Sequence, residues 1–159
     1  MGNIFTGSEV VGLGIQIEKN GKDFYDAVAS CVKNAKAKEA FIFLSSEEQK
    51  HVVVFQRILN SIQKYEPAPI YAADYAAYMK ALAAEYIFTQ GGKGGAIGKS
   101  VKNENEAIEL GIKFEKDSII FYDGMKKVIP DFDLNIIDEL IAREQEHLVM
   151  LISLKEKLK

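Results

Sequence analysis

Two stretches of the chain, offset by 97 residues, carry the same pattern, and this duplication restricts the possible folds more than any other feature. Gly14-Ile15-Gln16-Ile17-Glu18-Lys19 aligns with Gly111-Ile112-Lys113-Phe114-Glu115-Lys116, and Phe24-Tyr25 with Phe121-Tyr122. At an offset of 96, Glu48-Gln49-Lys50-His51 aligns with Glu144-Gln145-Glu146-His147. The chain has only two histidines, and both fall in this duplicated E-Q-x-H motif. With 159 residues it is one domain, so the copies must share one core rather than form two.

Each copy reads as a pair of helices. In the first, Val11, Ile15, Glu18, Lys22, Tyr25 and Ala29 recur at the spacing of one helix face over about 8–34. In the second, over about 36–65, the stripe is Phe41, Leu44, Glu48, His51, Phe55, Ile58 and Ile62. Pro67 and Pro69 end that helix, and Pro130 separates the two helices of the second copy. Asn103 to Glu106 has capping-box character at the start of the third long helix, and Asp131 or Asp133 is expected to cap the fourth. The expected architecture is an all-α four-helix bundle in one domain over 1–159. Hairpin one covers 8–65, hairpin two 104–158, and a long crossover with its own short helix covers 66–103, as in ferritin-like bundles.

On a helix, a Glu and a His three residues apart lie on one side and can reach a common point. ExxH is therefore a two-toothed metal clamp. Two clamps, Glu48/His51 and Glu144/His147, with single carboxylates Glu18 and Glu115, make four carboxylates and two imidazoles, the set helix bundles use for di-iron and di-manganese centres. Four ionised carboxylates inside a bundle cost several kcal/mol each unless compensated, roughly, and two divalent cations neutralise them. Surface charge is the ordinary role of a lone Glu, but Glu48 and His51 share a stripe with Leu44 and Phe55, and Glu144 and His147 lie among Leu140, Ile141, Leu148 and Leu151. These ligand types suit iron, manganese and zinc alike.

In this combination the sequence resembles the rubrerythrin diiron domain of the ferritin-like superfamily, from about Ser8 to Leu158. The resemblance implies two iron ions per chain, with manganese or zinc as alternatives. Glu48 and Glu144 would bridge them, with Glu18 and His51 on one side and Glu115 and His147 on the other. It also implies that Tyr25 and Tyr122, seven residues after Glu18 and Glu115, donate hydrogen bonds to the bridging carboxylates and are candidate catalytic proton donors. The implied activity is reduction of hydrogen peroxide, or dioxygen, by an oxidoreductase that works as a homodimer. Two departures stand out. Where the family has an additional Glu one turn after the third helix's ligand, this chain has Ser118. A single cysteine cannot build a rubredoxin iron site, so electrons are expected from an external donor protein such as a rubredoxin. The alternatives are a ferritin-like ferroxidase that handles iron, and a non-catalytic helical module.

Composition narrows the partners. A net charge of −3 provides no cationic field for nucleic acid, and no apolar run is long enough to cross a membrane; a cytoplasmic location is expected. Met1 to Thr6 fits the short and common N-myristoylation pattern, but the favoured reading is that Thr6-Gly7-Ser8-Glu9 is a helix capping box. Gly98-Lys99-Ser100 suggests a phosphate loop, yet Lys93 stands where that motif needs glycine, so 91–100 reads as a flexible connection. Tyr71, Tyr75, Tyr78 and Tyr86 are expected to pack the crossover or form an interface, and Cys31 to be a small buried residue.

Overall fold

The computed structural model describes residues 6–64, 72–86 and 90–159. Six helices occur among them: α1 (Gly7–Cys31), α2 (Ala35–Ile62), α3 (Ala73–Glu85), α4 (Lys93–Ser100), α5 (Glu104–Met125) and α6 (Leu134–Lys157). No strand occurs among the described residues, in keeping with the expected all-α class. The start of the myristoylation pattern, both crossover prolines and Tyr71 lie outside the described residues.

Local sequence sets the helix ends. Thr6 and Glu9 form a reciprocal capping box at the start of α1, with Glu9 N–H donating to Thr6 Oγ1 (3.1 Å) and Thr6 N–H to Glu9 Oε2 (2.7 Å). Asn34 caps α2 by accepting from Ala37 N–H, and Asn103 caps α5 by accepting from Glu106 N–H. The short turn between α1 and α2 is held from outside: Lys33 and Asn34 N–H both donate to Glu104 Oε1, at 2.9 and 3.3 Å. The start of α6 differs from expectation. Asp133 occupies the capping position, but its side chain accepts no capping bond, because a 3-10 turn over Asp131–Asp133 already gives it helical backbone angles.

The helices pack as α1 on α2 and α5 on α6, with further contacts from α1 to α5 and from α2 to α6. Phe24, Phe41, Phe55, Phe121, Leu44, Ile58 and Ile108 fill the interior between them. Full burial of side chains of this size contributes about 1.5–3 kcal/mol each, which makes this apolar layer the main support for the polar cluster it surrounds.

The glycine-rich segment is ordered helix, not the expected flexible connection. Gly92 takes a left-handed φ of 76°, turning the chain into α4, which lies directly against α1. A side chain at Gly94 would collide with the Asn20 carbonyl, and one at Gly98 would come within 2.9 Å of the Phe24 carbonyl, so the glycines serve close backbone approach. Buried Asn20 completes the joint: its Oδ1 accepts from Gly94 N–H (3.1 Å) and its Nδ2 donates to the Gln90 carbonyl (2.7 Å). Cys31 is also corrected. At the last turn of α1 it faces outward and is exposed, because the helix ends there and the chain turns away from the core.

Candidate metal centre

α1 supplies Glu18, α2 supplies Glu48 and His51, α5 supplies Glu115, and α6 supplies Glu144 and His147. All six are buried, none more than 5% exposed. They gather into two groups, Glu18-Glu48-His51-Glu144 and Glu48-Glu115-Glu144-His147, and within each group one potential ligand atom per residue lies within 4.8 Å of the others. Glu48 and Glu144 belong to both groups.

Helix direction produces this arrangement. His51 Nδ1 lies 2.7 Å from Glu144 Oε1, and His147 Nδ1 lies 3.7 Å from Glu48 Oε1. Each clamp thus meets the other end-for-end, which requires α2 and α6 to run in opposite directions. The imidazoles are stacked, with centroids 5.6 Å apart and planes 17° from parallel. Phe43, partly exposed on α2, sets its ring edge-on to His147 at 6.3 Å and screens that side of the cluster.

The tyrosines make a different connection from the one the resemblance implies. Tyr25 donates to Glu115 Oε1 and Tyr122 donates to Glu18 Oε1, so each bonds a single carboxylate of the other hairpin rather than a shared one. The reason is geometric: α1 and α5 pack together, and these two crossed bonds form at once only when the helices are antiparallel. Each phenol therefore lies opposite the other helix's Glu. Phe41 stacks on Tyr25 and Phe55 packs on Tyr122, holding both phenols in place.

The cluster is electrostatically unbalanced. Burial raises Glu48 and Glu115 well above the ordinary carboxyl range, reinforced by Glu18 and Glu144 for Glu48 and by Glu144 for Glu115. Burial alone would depress the histidines, but Glu18 and Glu144 outweigh it at His51, raised to about 11, and Glu115 and Glu144 do so at His147, raised to about 10. Glu144 is lowered despite burial, because Glu115 and both imidazoles crowd against it. Tyr25 and Tyr122 are raised, first by burial and then by the carboxylates beside them, so both keep their protons at neutral pH.

Part of the cluster is left without hydrogen-bond partners. Among the described residues, Glu18 Oε2, Glu48 Oε1, both oxygens of Glu144, and Nδ1 of His51 and of His147 are buried without a hydrogen-bond partner. Buried polar atoms are otherwise nearly always satisfied. Here the unpartnered atoms converge between the two groups, and carboxylate oxygen with deprotonated imidazole nitrogen is a donor set suited to iron, manganese or zinc. The residues present therefore fit a pair of divalent ions.

Sequence reasoning did not single out two neighbours of this centre, Gly21 and Phe43, and named a third, Tyr86, only for packing or an interface. Gly21 lies against Glu48, Phe43 covers His147, and Tyr86 reaches in from the crossover. The Tyr86 hydroxyl donates to the Phe114 carbonyl (2.9 Å) and shares a 2.6 Å hydrogen bond with Ser118 Oγ. The crossover thus meets α5 at the residue that replaces the additional family Glu. Tyr75 packs inward, with its hydroxyl on the Gly124 carbonyl, while Tyr78 is exposed.

A solved structure with the same architecture comes from Thermotoga maritima, a protein described as a ferritin-like diiron-carboxylate protein. The match covers 97% of each chain with a TM-score of 0.70 at 21% identity. The bundle described above is accordingly a ferritin-like fold. No curated protein matches the chain. The sequence model of the rubrerythrin family matches residues 9–155, nearly the whole chain and all six residues of the cluster. With its duplicated ExxH clamps and both single carboxylates inside that match, the chain belongs to the rubrerythrin family.

Proposed function

We propose that this protein is a non-haem diiron oxidoreductase that reduces hydrogen peroxide, or dioxygen, with electrons from an external donor protein such as a rubredoxin. The observation that carries the reading is the convergence of buried, unpartnered atoms from three carboxylates, Glu18, Glu48 and Glu144, and two imidazoles, with Glu115 beside them in the same cluster. Glu18 and His51 would hold one ion, Glu115 and His147 the other, and Glu48 and Glu144 both. When bound, a pair of ferrous ions supplies the two electrons that, with two protons, convert hydrogen peroxide to two waters.

The chain's own residues do the rest. The four carboxylates balance the charge of two divalent ions, so the site needs no outside counter-ion. Glu18 and Glu115 are each fixed by a phenol from the opposite helix, which restricts their rotation and holds a proton one bond from a ligand carboxylate. The apolar packing of Phe41, Phe55 and Leu44 around the cluster excludes bulk water.

The test is anaerobic loading with Fe(II), followed by hydrogen peroxide under stopped-flow optical detection. Two irons per chain, oxidised much faster than free Fe(II), support the reading. Failure to bind two, or reaction no faster than the free ion, defeats it. Native mass adds a second check, since a homodimer fits this proposal and a large hollow cage fits an iron-storage role.

A further inference from the structure

Gly21 lies three residues after Glu18 on α1 and is buried. A methyl group at this position would come within 2.5 Å of Glu48 Oε2 and 3.2 Å of Glu48 Cδ. The carboxylate of Glu48 therefore occupies volume that the side chain of any other residue would claim. Glycine within a helix is less favourable than alanine, so local propensity argues against the residue found here. Gly12, on the same helix, has nothing within 4 Å of its would-be side chain and shows no such constraint.

The internal repeat sharpens the point. At the offset that aligns Glu18 with Glu115, the counterpart of Gly21 is Ser118. There a side chain is present and is tied to the Tyr86 hydroxyl. The two halves of the site are thus inequivalent at one matched position: α1 withholds a side chain beside the carboxylate from α2, and α5 keeps one.

We propose that Gly21 is a positioning residue for the metal centre, its missing side chain making the space in which the Glu48 carboxylate sits with Oε2 against α1 and Oε1 among the other ligands. The inference rests on the diiron reading, since Glu48 is one of the two carboxylates common to both ligand groups. The atom that meets position 21 is the far end of a flexible side chain. Gly21→Ala therefore displaces Glu48 rather than α1, and it disturbs metal binding without unfolding the bundle.

The experiment compares metal-free wild type, Gly21→Ala and Gly12→Ala by thermal melting, then by titration with Co(II) while recording the visible spectrum. Gly21→Ala is expected to melt at or above the wild-type temperature, yet to bind Co(II) at least about tenfold more weakly, with an altered ligand-field spectrum. Gly12→Ala is expected to bind as wild type does. A Gly21→Ala isotherm and spectrum that match wild type overturn the proposal. If Gly21→Ala fails to fold, the double variant Gly21→Ala/Glu48→Asp decides, because the shorter acid withdraws from position 21: recovered folding supports the contact with Glu48, and failure of both variants overturns it. Wild-type protein that takes up no Co(II) defeats the metal reading of the site itself, an outcome separate from any difference between variants.

Discussion

Tyr122, two turns beyond Glu115 on α5, donates a hydrogen bond from its hydroxyl to Glu18 on α1, and Tyr25 repeats the bond in the other direction to Glu115. Each hairpin therefore fixes a carboxylate of the other. Tyr122→Phe leaves Glu18 Oε1 buried without its donor, which costs about 1–3 kcal/mol. The expected result is a loss of that size in chemical denaturation of the metal-free protein, with two metals per chain still bound after loading.

The two shared carboxylates should behave differently from the two single ones. Glu144→Ala removes a ligand from both groups, whereas Glu18→Ala removes one from a single group. Metal analysis after dialysis is expected to show loss of both ions in the first variant and retention of about one in the second. Equal stoichiometry in the two variants would contradict the proposed bridging role of Glu144.

Protonation sets the stability of the metal-free protein. His51 and His147, raised to about 11 and about 10, hold protons in the folded state at pH values where the unfolded chain has released them. Glu48 and Glu115, raised by burial and neighbouring carboxylates, do the same above the ordinary carboxyl range. All four shifts have one sign: the folded state binds more protons, so stability falls as pH rises. The contribution of the histidines is complete below about 6.5 and is lost as pH climbs through about 10 to 11. Melting temperatures of chelator-treated protein are expected to drop between pH 6 and pH 10, roughly, and metal, which displaces these protons, is expected to flatten the profile.

The joint between α4 and α1 is expected to matter for stability and not for chemistry. Gly94→Ala drives a methyl group into the Asn20 carbonyl and disturbs the bond from Gly94 N–H to Asn20 Oδ1. Overpacking of this kind costs about 1–3 kcal/mol. Denaturation should register the loss while metal stoichiometry stays at the wild-type value.

Much of the candidate centre is legible in the sequence because its residues obey helical spacing. Glu48 with His51, and Glu144 with His147, are neighbours on one helix, and the repeat places Glu18 opposite Glu115. The long helices and two of their caps are legible for the same reason, since Thr6 and Asn103 act on backbone groups three residues away. The largest misreading fell where the deciding partner is distant in sequence, while those at Asp133 and Cys31 came from local turns at helix ends. The glycines of α4 looked like loop punctuation because nothing nearby reveals that they pack on Asn20 and Phe24, some seventy residues earlier. Cys31 looked like core because helical periodicity continues past the residue at which the chain turns.

The sequence by itself determined the all-α class and the duplicated motif that marks six candidate metal-ligating residues, because period and spacing along a helix are local properties. Tertiary structure alone decided which atoms meet. The crossed Tyr25–Glu115 and Tyr122–Glu18 bonds, the Gly21 space filled by Glu48 and the Tyr86–Ser118 pair all depend on how helices of opposite direction pack. The physical reason is that helix periodicity names a face, while close packing between two faces sets the distances that decide which donor reaches which acceptor.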